Sequence, residues 1–329
     1  LENYKVIVTP KEIQSWIDKK KEFTVIDIRP AKFQNKNPIL GLKCISADEN
    51  SIPNIKGDSI LVCQYGLVTE GLIIEKKLMN SYSLLGGSDA WNEFYKKNAD
   101  LSNYSRQMIL PDFGIEGQKK ILNSKIAIIG MGGLGCPAAQ SLITSGVGRL
   151  VIVDGDKVEL SNLHRQPLYN KNDVGLSKVD VSKSKLNDLN KNAIIETHNC
   201  YITEFNGLEI LKNVDIIIDA TDNFQSRTSI DKLSNILKIP MIYGGLYKYE
   251  GHVSIFNYKD GPSYNEVFPY SNKDIDSCDN SGTMGVISGI IGNFQALEAI
   301  KIVLGIDDNL SGKLLIYDAI THDISKIEL

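Results

Sequence analysis

Consecutive apolar residues at Ile126–Ile129, Leu150–Val153 and Val214–Ile218 alternate with stretches of helical spacing, the pattern of buried parallel strands joined by helices. Further apolar runs at Met241–Tyr243, Val253–Phe256 and Leu314–Tyr317 have no long helix between the middle pair, so the sheet is expected to become mixed. Between them, residues 286–304 place Ile287, Ile290, Ile291, Phe294, Leu297, Ile300 and Leu304 at helical spacing, a core-facing stripe. Upstream, Lys11–Lys21 predicts a short helix with Thr9 as cap and Pro10 in the first turn. Strand-like runs come next at Phe23–Ile28 and Ile60–Cys63. Residues 96–105 are polar with a single Leu and predict a linker. The pattern therefore predicts an α/β protein of two parts, a small α/β domain over 1–98 and a mostly parallel sheet domain over 99–329 that becomes mixed towards its C-terminal half.

A length of 329 residues accommodates two domains of ordinary size. Lys and Arg number 36 against 40 Asp and Glu, a net charge of −4 that offers no electrostatic footprint for nucleic acid or an anionic membrane. The longest apolar stretches are broken by Gly or charge short of the roughly 20 residues a membrane span needs. The polar opening Leu1–Lys5 argues against a signal peptide. The five cysteines, Cys44, Cys63, Cys136, Cys200 and Cys278, are odd in number and contain no C-x-x-C, which argues against a disulfide framework and a structural zinc site. A reducing, cytoplasmic setting is expected, in which a thiol is free to react. Lys19-Lys20-Lys21 reads as a solvated helix face.

The candidate chemistry starts at Gly130-Met131-Gly132-Gly133-Leu134-Gly135, which succeeds one strand and opens a helix with Pro137 near its first turn. Gly130, Gly132, Gly133 and Gly135 let the backbone approach phosphate at a helix N-terminus. Asp154, 19 residues after Gly135 at the end of the next strand, can hold ribose hydroxyls. The glycine motif alone favours an NAD-dependent oxidoreductase. The residues beyond Asp154 point elsewhere: Ser161-Asn162-Leu163-His164-Arg165-Gln166 and then Lys178 bring two cations and an amide, which suit a triphosphate better than a nicotinamide. Ala220-Thr221-Asp222-Asn223 ends a further strand, where open α/β sheets bind ligands, and Asp222 there can hold Mg²⁺.

Tyr104–Gln107, Gly130–Gly135, Val153–Asp156, Ser161–Gln166, Lys178, Thr221–Asn223 and Gln295–Ala299 occur in an order and spacing that resembles the bacterial ubiquitin-activating-type adenylyltransferases, the MoeB/ThiF/HesA group, over about residues 104–329. The resemblance implies a Rossmann-like domain that uses ATP and Mg²⁺ to adenylylate the C-terminal glycine of a ubiquitin-like sulfur carrier protein with a Gly-Gly terminus, for molybdopterin, thiamin or a related sulfur-transfer pathway. It implies that Asp154 holds ribose, that Asn162, Arg165 and Lys178 meet the phosphates with Ser161 and Asn223 alongside, and that Asp222 binds Mg²⁺ with Asp156 near the metal. Arg106 is expected to reach ATP across a homodimer. Many members carry two C-x-x-C pairs around zinc; this chain has Ser263-Tyr264-Asn265-Glu266 where the first would fall, so no zinc is expected. Cys278 occupies the position of a cysteine that in some relatives bonds to the carrier.

The first part resembles a rhodanese module over about residues 4–95, through Val25–Arg29, Ile60–Gly66 and Leu84–Trp91. That implies a sulfurtransferase carrying a persulfide on Cys63, loaded by a persulfide donor. The loop Gly66-Leu67-Val68-Thr69 lacks the Arg-Ser that commonly comes after the glycine, and the alternative is a silent docking domain.

Overall fold

The computed structural model describes residues 6–53, 55–98, 101–111, 113–269, 282 and 284–329. Two compact units divide after Leu101. In element order the first holds β1 (Ile7–Val8), α1 (Pro10–Asp18), β2 (Thr24–Asp27), α2 (Ala31–Lys36), β3 (Cys44–Ser46), β4 (Ser59–Val62), α3 (Leu67–Glu75), β5 (Ser81–Leu84) and α4 (Gly87–Asn98). Its sheet runs β1-β5-β4-β2-β3 with every pair parallel. The start of α1 is fixed as its sequence predicts: Thr9 Oγ1 accepts the Glu12 N–H and the Glu12 carboxylate accepts the Thr9 N–H, with Pro10 in the first turn. The helix stops at Asp18, three residues short of the expected end. All four residues of β4 are buried, and its Ile60, Leu61 and Val62 give the apolar run that the sequence shows.

The second unit holds α5 (Ser105–Met108), α6 (Gly114–Asn123), β6 (Lys125–Ile129), α7 (Gly135–Thr144), β7 (Arg149–Val153), α8 (Lys178–Leu189), β8 (Ile194–His198), α9 (Glu204–Leu211), β9 (Ile216–Asp219), α10 (Phe224–Leu237), β10 (Met241–Tyr247), β11 (Glu250–Phe256), α11 (Tyr264–Val267), α12 (Gly285–Leu304), β12 (Lys313–Asp318) and β13 (Ile324–Glu328). The sheet order is β13-β12-β11-β10-β9-β6-β7-β8. Strands β8, β7, β6, β9 and β10 are parallel to their neighbours, and β10 through β13 pair antiparallel, so the sheet is mixed in its C-terminal half. Consecutive residues of β6 feed opposite cores: Ile126 and Ile128 pack with α7, α8 and α12, while Ala127 and Ile129 pack with α9 and α10. The chain lays β7 and β8 on one side of β6 and then returns to place β9 on the other. Open α/β sheets bind ligands at such a reversal, outside the strands' carboxyl ends.

Two expectations need correction. The two units do divide inside the linker expected over 96–105, but where that segment is described it holds helical turns: α4 runs to Asn98, a 3₁₀ turn covers Ser102–Tyr104, and α5 comes directly after it. The statement that apolar stretches fall short of a membrane span also fails, because α12 is, among the described residues, one helix long and apolar enough to cross one. Its Gly and charged residues do not interrupt it. Ile287, Ile291, Ala296 and Ala299 are buried, and the helix packs on α7, β10 and β11.

Candidate active site

The glycine loop joins β6 to α7. Gly130 turns with φ +96°, and a Cβ there would lie 2.6 Å from the Ala220 carbonyl oxygen. At Gly135 a Cβ would fall 1.9 Å from the Gly130 oxygen, so glycine is the price of bringing helix and strand together. Gly132 differs: a Cβ there would meet only the Gln166 amide, at 3.7 Å, so nothing within the fold demands glycine. An open backbone at that position fits a phosphate that must approach it closely. Gln166 is 3% exposed, and its Oε1 is buried without a hydrogen-bond partner. Sequence reasoning gave this residue no role of its own.

Asp154, at the end of β7, is buried and closes the loop from below. One oxygen accepts the Met131 N–H at 2.6 Å and the other the Asp156 N–H at 2.8 Å. Burial pushes its carboxyl above the usual range, with Lys178 and those N–H groups pulling it back. Lys178 opens α8 and is 6% exposed; its Nζ donates to Asp156 Oδ2 at 2.8 Å and stands 4.0 Å from Asp154. Asp156 also accepts the Tyr201 hydroxyl at 2.6 Å. Partial burial raises the Asp156 carboxyl, and the bonds from Lys178 and Tyr201 more than reverse this, leaving it below the usual range.

Asn162 is buried and donates to Ser161 Oγ at 3.3 Å, while Arg165 Nη1 and His164 Nδ1 lie 3.2 Å and 2.9 Å from the Ser161 carbonyl oxygen. The Arg165 stem lies 3.6 Å from the Cβ position of Gly133, so its aliphatic part packs beside the glycine loop. Asp222 is exposed after β9, and that segment meets the loop because the Ala220 N–H donates to the Ile129 carbonyl at 2.9 Å. Asn223 uses its side-chain oxygen to cap α10 through the Ser226 N–H at 2.9 Å. Arg227, which sequence reasoning passed over, holds the Asp222 loop in place. It donates to the carbonyls of Thr221 at 2.9 Å and Gly244 at 3.2 Å, stands 3.5 Å from buried Asp219 and lies over the Tyr243 ring.

The structure thus gathers Gly130–Gly135, Asp154, Asp156, Ser161, Asn162, Arg165, Lys178, Asp222 and Asn223 at one end of the sheet. Arg106 is not among them. It is exposed on α5, whose Gln107 donates to the Ser145 carbonyl just past the far end of α7, about 15 Å along that helix from the glycine loop. Cys278 lies outside the described residues. Among the described residues no group of three or more His, Cys, Asp or Glu could hold a metal ion. The segment Ser263–Glu266, where a first thiolate pair would fall, forms a capping box on α11 and hangs on Asp231, which accepts the Tyr264 N–H at 2.9 Å.

In the first unit Cys63 is 7% exposed, at the mouth of the turn into α3. Its Sγ accepts the Gly66 N–H at 3.1 Å and lies 3.7 Å from Thr69 Oγ1. Burial pushes the thiol up, but hydrogen bonds from Thr69, Val68 and Gly66 outweigh it and hold the pKa below its ordinary value. The segment after β5 closes over the loop: the Ser88 N–H donates to the Cys63 carbonyl at 2.8 Å. Arg29 is engaged within the fold, paired through two bonds with buried Asp27 at 2.7 and 2.9 Å and donating to Ser88 Oγ at 3.1 Å.

The family model described as the ThiF family matches residues 104–329. An adenylyltransferase and sulfurtransferase MOCS3 of Drosophila sechellia is 42% identical over 223 residues, 67% of this chain and 49% of that protein. The chain therefore spans about half the length of that relative. A probable molybdopterin-synthase adenylyltransferase of Gracilaria tenuistipitata var. liui is 42% identical over 250 residues, 76% of this chain and 68% of that one. Among solved structures, selenomethionine PaaA superposes with a TM-score of 0.61 at 29% identity, covering 79% of this chain and 82% of its own. Escherichia coli MccB with ATP gives 0.62 at 24% identity over 73% of this chain and 77% of its own, a likeness of fold alone.

Proposed function

This chain belongs to the ThiF family, and on that footing we propose that it adenylylates the C-terminal glycine of a ubiquitin-like sulfur carrier protein with ATP. The carrier's carboxylate oxygen attacks the α-phosphorus, the bond from that phosphorus to the β-phosphate's bridging oxygen breaks, and pyrophosphate departs. The attacking carboxylate is ionised at pH 7, so the site needs no general base. It needs alignment and positive charge where charge develops on the departing phosphates. The observation that carries the reading is the convergence of two basic residues beside the glycine loop: Lys178 is buried against Asp156 and Asp154, the acid that holds the Met131 N–H, and the Arg165 stem packs beside Gly133. In this reading Asp154 takes the ribose hydroxyls, Lys178, Arg165 and Asn162 take the phosphates, and Asp222 holds Mg²⁺, which supplies further charge neutralisation. The placement of α5 at the far end of α7 favours delivery of Arg106 to the second site of a homodimer.

Carrier-dependent exchange of pyrophosphate into ATP tests this. Asp222→Ala should abolish exchange, and Arg165→Ala should slow it roughly 10²–10³-fold. Wild-type rates in both variants would overturn the site. Mixing Arg106→Ala with Asp222→Ala should restore part of the activity if Arg106 acts across the dimer; no recovery after confirmed subunit exchange removes it from that role.

The rhodanese-like unit extends the proposal to sulfur. A Cys63 persulfide anion attacks the acyl carbon of the adenylate, AMP leaves, and a thiol then splits the resulting acyl disulfide to free the thiocarboxylate. Tethering raises the effective sulfur concentration to about the millimolar range. The cradle of N–H groups around Sγ supports an active thiol over a docking role, and it supplies what the missing loop arginine does not. With a persulfide donor, ATP and carrier, Cys63→Ser should adenylylate but yield no thiocarboxylate by mass spectrometry. Equal yields would discard the relay and make Cys278 the next residue to test.

A further inference from the structure

The parallel strands reach the site in the spatial order β9-β6-β7-β8. The glycine loop comes after β6 and the ribose acid Asp154 after β7. A nucleotide laid along that edge therefore runs toward β8 and delivers its base to the end of β8. Tyr201 stands there, three residues beyond His198 and 67% exposed.

Its position is fixed from both ends. The hydroxyl donates to Asp156 Oδ1 at 2.6 Å, and the other oxygen of that carboxylate holds Lys178. The Tyr201 carbonyl accepts the Asn206 amide at 2.9 Å, and Asn206 is itself locked into the capping box with Thr203 that starts α9. The ring passes 3.0 Å from the Cβ position of Gly155, so a side chain between the two acids would displace it. An exposed aromatic ring gains little from burial and loses rotamer freedom when tethered. Such a ring gives a ligand a flat apolar face already in place, which lowers the ordering cost of binding.

We infer that Tyr201 is the stacking platform for the nucleotide base and sets a preference for purine over pyrimidine. The inference rests on the adenylylation reading, because it takes Asp154 as the ribose acid.

Calorimetric titration of the full chain with ATP, CTP, AMP and inorganic tripolyphosphate, all at one Mg²⁺ concentration, tests it. Tyr201→Ala should weaken ATP and AMP about ten-fold or more, as loss of a base–aromatic stack does, and should erase the preference for ATP over CTP. Tripolyphosphate should bind as in the wild type, which also shows that the variant is folded. Tyr201→Phe and Tyr201→Trp keep a ring and should hold ATP within about three-fold of wild type. The chain's two tryptophans, Trp16 and Trp91, both lie in the first unit, so emission from the indole introduced by Y201W should be quenched by ATP and not by tripolyphosphate. AMP binding to Tyr201→Ala at wild-type strength would overturn the platform, as would equal weakening by Phe and Ala. A wild-type chain that binds no ATP would overturn the adenylylation reading, and this inference with it.

Discussion

The loop after β4 and the loop after β6 both leave a parallel strand, turn through a glycine of positive φ (Gly66 at +84° and Gly130 at +96°) and enter a helix. In the first, the turn closes on a side chain of its own: Gly66, Val68 and Thr69 all bond to the Cys63 sulfur. In the second, the nearest acid, Asp154, takes the Met131 N–H, and the backbone at Gly132 is left open. One loop encloses the sulfur its donors meet, and the other keeps its backbone open. The same helix-start geometry therefore surrounds a thiol in one unit and, in the proposed function, receives phosphate in the other. What distinguishes them is where the fold leaves room.

The largest break in that comparison is Gly135→Ala. Its Cβ would lie 1.9 Å from a backbone oxygen that cannot move aside, and the second unit should lose about 3 kcal/mol or more, roughly 10 °C in its calorimetric melt. A melt unchanged within about 2 °C would show that the loop tolerates what its geometry forbids. Gly132→Ala comes next. It should leave the melt in place yet weaken ATP about ten-fold, because the new methyl occupies the space that the proposed function gives to phosphate; full ATP affinity would remove Gly132 from the phosphate path. The smallest effect is expected from Thr69→Val in the first unit. Losing one hydrogen bond to the sulfur should raise the Cys63 pKa, read as an upward shift in the pH midpoint of alkylation. The depressed pKa sets the sign of the linkage. The thiolate contributes stability above the unfolded value near 9, and that contribution is lost as pH falls through the folded value. An alkylation midpoint that stays put would assign the depressed pKa to the backbone N–H groups alone.

Legibility in the sequence tracked burial. Ile60–Val62 in β4, Ile126–Ile129 in β6 and Leu150–Val153 in β7 are buried on both faces and stand out as unbroken apolar runs. Strand β8, Ile-Ile-Glu-Thr-His, lies at the sheet edge and is mostly half-buried, and β13, Ile-Ser-Lys-Ile-Glu, is exposed throughout, so neither carries that signal. The site divides in the same way. Glycines at fixed offsets and an acid at a strand end are local patterns, and they led to the site. Arg227 was invisible because two of its partners are the carbonyls of Thr221 and Gly244, and any residue supplies a carbonyl. Tyr201 was invisible because only folding brings the end of β8 beside Asp156.

The pairing of β6 with β9 also sets a schedule for synthesis. Ile126 faces Ile216, made ninety residues later, and the Gly130 turn is completed only against Ala220. At ribosomal rates that interval is roughly 5–20 s, during which one edge of an apolar strand has no partner. The first unit needs nothing beyond Leu101 for its own sheet, so it can be finished while the glycine loop is still unformed. A nascent chain thus passes through a stage with a complete thiol cradle and an unfinished glycine loop, and chaperone demand should fall on the stretch between residues 126 and 220.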